Sequence, residues 1–130
     1  MSVCGLWPGP RRLYAVIDDN GQLRRPITAH DFGYASQCLL EWLATSDIHI
    51  VVVSEHFPSL IAQALAAKLP VALAPHPLLE AIRRAAGLTY RPPHHTAALL
   101  ARWHSTPGLR SYLRLWHPSD FPTSQLPLLE

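Results

Sequence analysis

Glu55 is the carboxylate best placed for chemistry in this sequence. It follows Val51-Val52-Val53-Ser54, an apolar β-branched run that reads as a buried strand, and the C-terminal ends of such strands are where α/β sheets bind ligands. His56 adjoins it, and His94-His95 could meet it at the strand ends. Carboxylate oxygens suit hard divalent cations, whereas neutral imidazole suits zinc, iron or manganese better than magnesium. Glu55 is therefore the candidate catalytic group, and Glu55, His56, His94 and His95 are the candidate metal ligands. Adjacent histidines on a helix point about 100° apart, so at most one of His94 and His95 faces the strand ends. The plainer alternative is loop hydrogen bonding by Glu55 and a helix start decorated with surface histidines. Asp18-Asp19-Asn20-Gly21 is a hairpin turn by composition, which assigns its two carboxylates to turn formation. Cys4 and Cys38 make neither a disulfide framework nor a zinc site, and both read as buried thiols in a reducing compartment.

The elements that must position these groups follow from periodicity and breakers. Residues 2–7 are a short apolar strand closed by Pro8-Gly9-Pro10, and 13–17 are a second strand. Residues 23–28 return as a third, with Pro26 implying an edge or irregular position. Asp31 is a plausible N-cap for a helix to about Ala44, with Ala35, Cys38, Leu39, Trp42 and Leu43 on its apolar face. Residues 48–53 form a central parallel strand, and 57–69 an alanine-rich helix starting near Pro58 and ended by Pro70. Residues 71–74 are a short buried strand, and a helix from Pro75-His76-Pro77 stops at Gly87. Residues 95–103 are helical, and 109–116 read as a last helical turn or two. The order β-β-β-α-β-α-β-α-α predicts an α/β fold with a mixed sheet of ribonuclease H-like topology, a three-stranded antiparallel meander followed by α-β-α-β-α-α. Its first strand should lie between the second and the strand at 48–53.

Across about residues 2–103 this layout resembles the RuvC-like catalytic domain of the DEDD-type transposases. In that family the first strand reads roughly Gly-Ile-Asp, the fourth strand ends in Glu, and a late helix carries paired Asp residues. Here Gly5-Leu6-Trp7 stands at the first motif, Val53-Ser54-Glu55 matches the second, and Pro93 and Thr96 fall on the late Asp positions. The resemblance implies phosphodiester cleavage by two divalent ions about 3.5–4 Å apart, held by converging carboxylates. Glu55 is the one carboxylate retained of about four, so the expectation is a catalytically degenerate domain with no cofactor.

Residues 125–129, Gln125-Leu126-Pro127-Leu128-Leu129, resemble the Gln-Leu-x-Leu-Phe/Leu pentapeptide by which many bacterial replication and repair proteins dock on the DNA polymerase sliding clamp. The resemblance implies that Leu128 and Leu129 enter an apolar pocket, with Gln125 and Leu126 completing the clamp-binding set. The same leucines could instead tack the tail onto the domain. Upstream, Arg102, Arg110 and Arg114 interleave with Trp103, Tyr112 and Trp116, a pattern suited to phosphate contact and base stacking. A buried pair of tryptophans beside solvated arginines would read the same way.

Composition bounds these readings. The 130 residues are 48% hydrophobic and 15% charged, enough apolar content for one core and too little charge for a disordered chain. Ten arginines stand against one lysine, Lys68, a bias that favours phosphate partners and that codon usage explains equally well. No segment approaches the roughly 20 apolar residues of a membrane span. The expectation is a cytoplasmic protein with a domain at 1–116 and a tail at 117–130. It would act as a non-catalytic binding module in bacterial DNA replication, repair or transposition. Its partners would be the sliding clamp and nucleic acid, with no membrane. The rivals are a metal-dependent nuclease or transposase-derived enzyme using Glu55 with histidines, and a protein-interaction domain unrelated to DNA.

Overall fold

The computed structural model describes residues 1–116, so the tail and its clamp-motif residues lie outside the described residues. Strand β1 (Ser2–Pro8) pairs antiparallel with β2 (Leu13–Asp19) over its whole length, Ser2 opposite Asp19 and Pro8 opposite Leu13. The hairpin turn is Asn20-Gly21, both residues at positive φ (55° and 94°), the signature of a two-residue type I′ connection. Asp18 and Asp19 are thus strand residues and not turn residues: Asp18 is buried, while Asp19 accepts hydrogen bonds from the Ser2 hydroxyl and from Arg24. Those donors hold the Asp19 carboxyl below its ordinary range, Arg24 contributing most. The predicted third strand is broken into β3 (Gln22–Leu23) and β4 (Ile27–Ala29), both on β2. Pro26 lies in the gap, where its lack of an N–H and its fixed φ end the first pairing.

Helix α1 (Tyr34–Thr45) follows. Asp31 caps it from outside the helix proper, its Oδ1 accepting the N–H groups of Gly33 and Ala35 at 2.9 and 3.1 Å. The face turned inward is Ser36, Leu39, Leu40 and Leu43, so the predicted apolar stripe is rotated: Cys38 and Trp42 are exposed. Ser36 can be buried because its hydroxyl donates to Gln63 Oε1 at 2.6 Å. Of the two thiols, Cys4 is buried, and burial pushes it up to about 12.

Strand β5 (Ile50–Ser54) runs parallel to β1 on one side and to β6 (Val71–Ala74) on the other, with every residue buried. Between them α2 (Pro58–Ala66) starts on a proline, which suits a first helical turn. It ends short of Lys68, which takes a left-handed φ of 64°. Helix α3 (His76–Ala85) stops at Gly87 (φ 70°), and a 3₁₀ turn (Leu88–Tyr90) leads to α4 (His94–Trp103). Helical turn α5 (Pro107–Arg110) is a single turn, and the chain then extends as β7 (Arg114–Leu115), antiparallel to β6. That strand replaces the predicted final helix. The Trp103 indole N–H bonds the Leu109 carbonyl at 2.8 Å and fixes the turn, and the Trp116 N–H bonds the Val71 carbonyl at 3.0 Å.

The sheet order is β3-β2-β1-β5-β6-β7, with β4 also on β2. A meander of which β1 is the inner strand, extended by strands parallel to it, is the ribonuclease H-like arrangement expected from the element order. Alternation sends Cys4, Leu6, Val51 and Val53 to one face under α1 and α2. Val3, Trp7, Ile50 and Val52 go to the other, under α3 and α4. On that second face Gly5 lets α4 settle directly on β1. A Cβ there would lie 2.0 Å from the Ala97 carbonyl oxygen and 2.5 Å from the Ala101 nitrogen. Both are backbone atoms of a buried helix and cannot swing away.

Gly5→Ala should therefore be costly. Overpacking of this kind costs about 3 kcal/mol, which in a domain of this size lowers the melting temperature by roughly 10 °C. Thermal unfolding followed by far-ultraviolet circular dichroism checks it.

Candidate functional site

Because β1, β5 and β6 are parallel, their C-terminal ends share one edge of the sheet, which the starts of α2 and α3 also approach. This is the edge on which an α/β sheet presents its chemistry. Glu55 is there, but it is engaged in structure. Its Oε1 accepts the His76 N–H at 3.1 Å and its Oε2 lies 3.7 Å from Arg114 Nη2. His56 stacks face to face on His76, ring centroids 4.2 Å apart and planes within 18°. The Ser54 hydroxyl lies between the two loops, 3.3 Å from His76 Nδ1 and accepting the His56 N–H at 3.2 Å.

His94 and His95 open α4, and their rings stack on each other at 4.4 Å where helical geometry predicted divergence. Partial desolvation lowers the His95 pKa, and the neighbouring His94 and Arg91 add to the shift. Glu55 and His56 thus find their partner in His76, and His94 and His95 in each other. Among the described residues no group of three or more histidine, cysteine, aspartate or glutamate side chains could hold a metal ion.

The centre of the site is occupied by Trp7 and Thr96, which the sequence placed here, and by Phe57 and Arg83, which sequence reasoning missed. Trp7, at the position the resemblance gives to the first carboxylate, is buried, and Phe57 meets it edge-on at 5.1 Å. The Arg83 guanidinium lies over the indole with its carbon 4.5 Å from the ring centroid. Arg83 Nε donates to Thr96 Oγ1 at 3.2 Å, and its Nη1 lies 2.7 Å from Glu80 Oε1. Thr96 is the second of the late positions, and it too is buried. At the positions that the resemblance assigns to metal ligands stand an indole, a proline and a threonine, and an arginine spans two of them. Two divalent cations do not fit this donor set: it offers no converging carboxylates, and it carries a fixed positive charge. The Glu80–Arg83 spacing of three residues was visible as an ion pair along α3. The contact with Trp7 joins residues far apart in the chain and needs the fold to appear.

The three arginines proposed for nucleic acid are not on one surface. Arg102 closes α4 and Arg110 closes α5. They lie toward the end of the sheet where β1 begins: His104 meets His49, whose N–H bonds the Ser2 carbonyl. Burial lowers the His104 pKa, helped by Arg110 and His49. Arg114 is at the other edge, with Glu55. Trp103 is fully buried and unavailable for stacking, whereas Tyr112 is exposed.

No protein-family model matches the chain, and no curated protein matches it. Among solved structures it is similar to the Thermus thermophilus RuvC structure, at 18% sequence identity and a TM-score of 0.45, over 99% of this chain and 91% of that one.

The Arg83 contacts give a stability prediction. Arg83→Ala removes the ring contact and the threonine bond and strands a half-buried Glu80, and should cost about 2–3 kcal/mol. Arg83→Lys keeps the charge without the planar fork and should lose roughly half of that. Arg84→Ala, on the exposed side of the same helix, should stay within about 0.5 kcal/mol. Urea unfolding of the three variants measures the differences.

Proposed function

We propose that this chain is a non-catalytic ribonuclease H-like binding module of bacterial DNA replication, repair or transposition, docking on the sliding clamp through residues 125–129. The observation that carries the non-catalytic reading is the Arg83 guanidinium lying on Trp7 and bonded to Thr96. It supplies a permanent, proton-saturated cation at the positions where the resembled enzymes gather carboxylates around exchangeable ones. Glu55 serves the β5–α2 loop by holding the first N–H of α3.

The partner reading rests on the tail sequence. Leu128 and Leu129 would each contribute about 1.5–3 kcal/mol on burial. The ordering cost of a short peptide leaves a net affinity in the micromolar range. Arg102 and Arg110, with His104 beside them, form the basic surface nearest the end of α4 and are the groups offered to nucleic acid.

Two measurements test the proposal. Purified protein incubated with duplex or branched DNA and magnesium or manganese should leave it uncut; cutting abolished by Glu55→Gln would overturn the non-catalytic reading. Titration of a bacterial sliding clamp should show micromolar binding that the Leu128→Ala/Leu129→Ala double variant loses, with its melting temperature lowered by less than about 4 °C. A large fall in melting temperature with no clamp binding to lose would assign those leucines to the domain instead.

A further inference from the structure

Helices α1 and α2 do not close against each other along their outer sides. Between them runs a mainly apolar groove of about 680 Å³, lined by Phe32, Phe57, Leu60, Ala62, Ala66 and Ala67, with Gln37, Glu41 and Gln63 among its polar groups. Phe32 remains 42% exposed at its wall. A volume of this size matches a bound peptide segment or a small ligand.

The described chain stops close to this groove. Trp116 packs on the same face of the sheet as α1 and α2, and its N–H is bonded to Val71, just beyond the C-terminal end of α2. Residues 117–130 continue from that point and contain Phe121, Leu126, Leu128 and Leu129 with no lysine or arginine. Fully extended, that segment reaches roughly 45 Å. Rounding the end of α2 and following its length requires about half of that. The tether also places the segment at an effective concentration in the millimolar range, which makes a weak intramolecular contact sufficient.

We propose that the segment 117–130 seats Leu128 and Leu129 in the α1–α2 groove of its own chain, and that this contact competes with clamp docking. The groove contact is argued from the groove and the composition and length of the tail, while the competition rests on the clamp reading above. A leucine pair in the groove is unavailable to a clamp pocket, so the groove acts as an internal competitor. With a millimolar effective concentration and a millimolar intrinsic contact, about half of the tails are seated, which lowers the apparent clamp affinity roughly twofold.

Methyl nuclear magnetic resonance on the full-length chain tests the contact. Cross-peaks should join the methyls of Leu128 or Leu129 to those of Ala66 or Ala67, and Ala66→Arg, on the exposed groove wall, should abolish them. Absence of such cross-peaks in the native chain overturns the proposal. So does their appearance only between differently labelled copies, which would mean that a second molecule supplies the tail. In a clamp titration Ala66→Arg should bind about twofold more tightly than the native chain; equal affinity overturns the competition. Cross-peaks in a native chain that binds no clamp would retain the groove contact and remove the clamp reading.

Discussion

The missing side chain at Gly5 sets the geometry of the rest. A parallel central strand normally meets a covering helix through two layers of side chains, about 10 Å apart. Here the backbone of α4 rests on the backbone of β1, with room for no Cβ between them. That approach draws the first turn of α4 down to the strand ends, and so brings Thr96 within reach of Arg83 and Arg83 over Trp7. A helix held one methyl group farther out would leave this bridge stretched and Trp7 partly open. The closure of the site is thus a property of a backbone contact near the middle of β1.

The closed centre ties a strand end to two helices without an ion: the Arg83 guanidinium lies on Trp7 and bonds Thr96 and Glu80. Divalent cations between carboxylates hold strand ends and helix starts together, but only while ions are supplied. An arginine stacked on an indole and bonded to a carboxylate and a hydroxyl performs the same bridging permanently. What remains at the edge of the sheet is a rigid surface of paired histidines, with Glu55 tied to α3 and facing Arg114.

Much of the fold was legible in the sequence because its signals are local. Unbroken β-branched runs, Asn20-Gly21, Pro58 and Gly87 each act within a few residues, and the order of elements then leaves few sheets to choose from. The errors have equally local causes. The stripe on α1 was misplaced because Cys38 and Trp42 are apolar by type but face outward, while the polar Ser36 turns inward on a bond to Gln63. Strand β7 was missed because Leu109, Leu113 and Trp116 keep a helix-like spacing through a single turn followed by extended chain. The candidate site was half legible: Trp7 and Thr96 were singled out by their types at those positions, but nothing near Arg83 in sequence announces that it crosses to Trp7. Pairings among the histidines were equally hidden, since His56 and His76 come together only through the parallel register of β5 and β6.

The two margins of the sheet bear on how copies of this chain coexist at high concentration. One margin is split into strands of two and three residues around Pro26, and the other is the two-residue β7. Arginines 24, 25 and 114 stand on or beside them. Among the described residues these borders are short and interrupted, and offer a neighbouring strand few aligned backbone groups to template cross-molecular pairing. A strand as apolar as β5 has the composition that favours cross-β stacking when exposed, and in the fold it is buried between β1 and β6, away from either border.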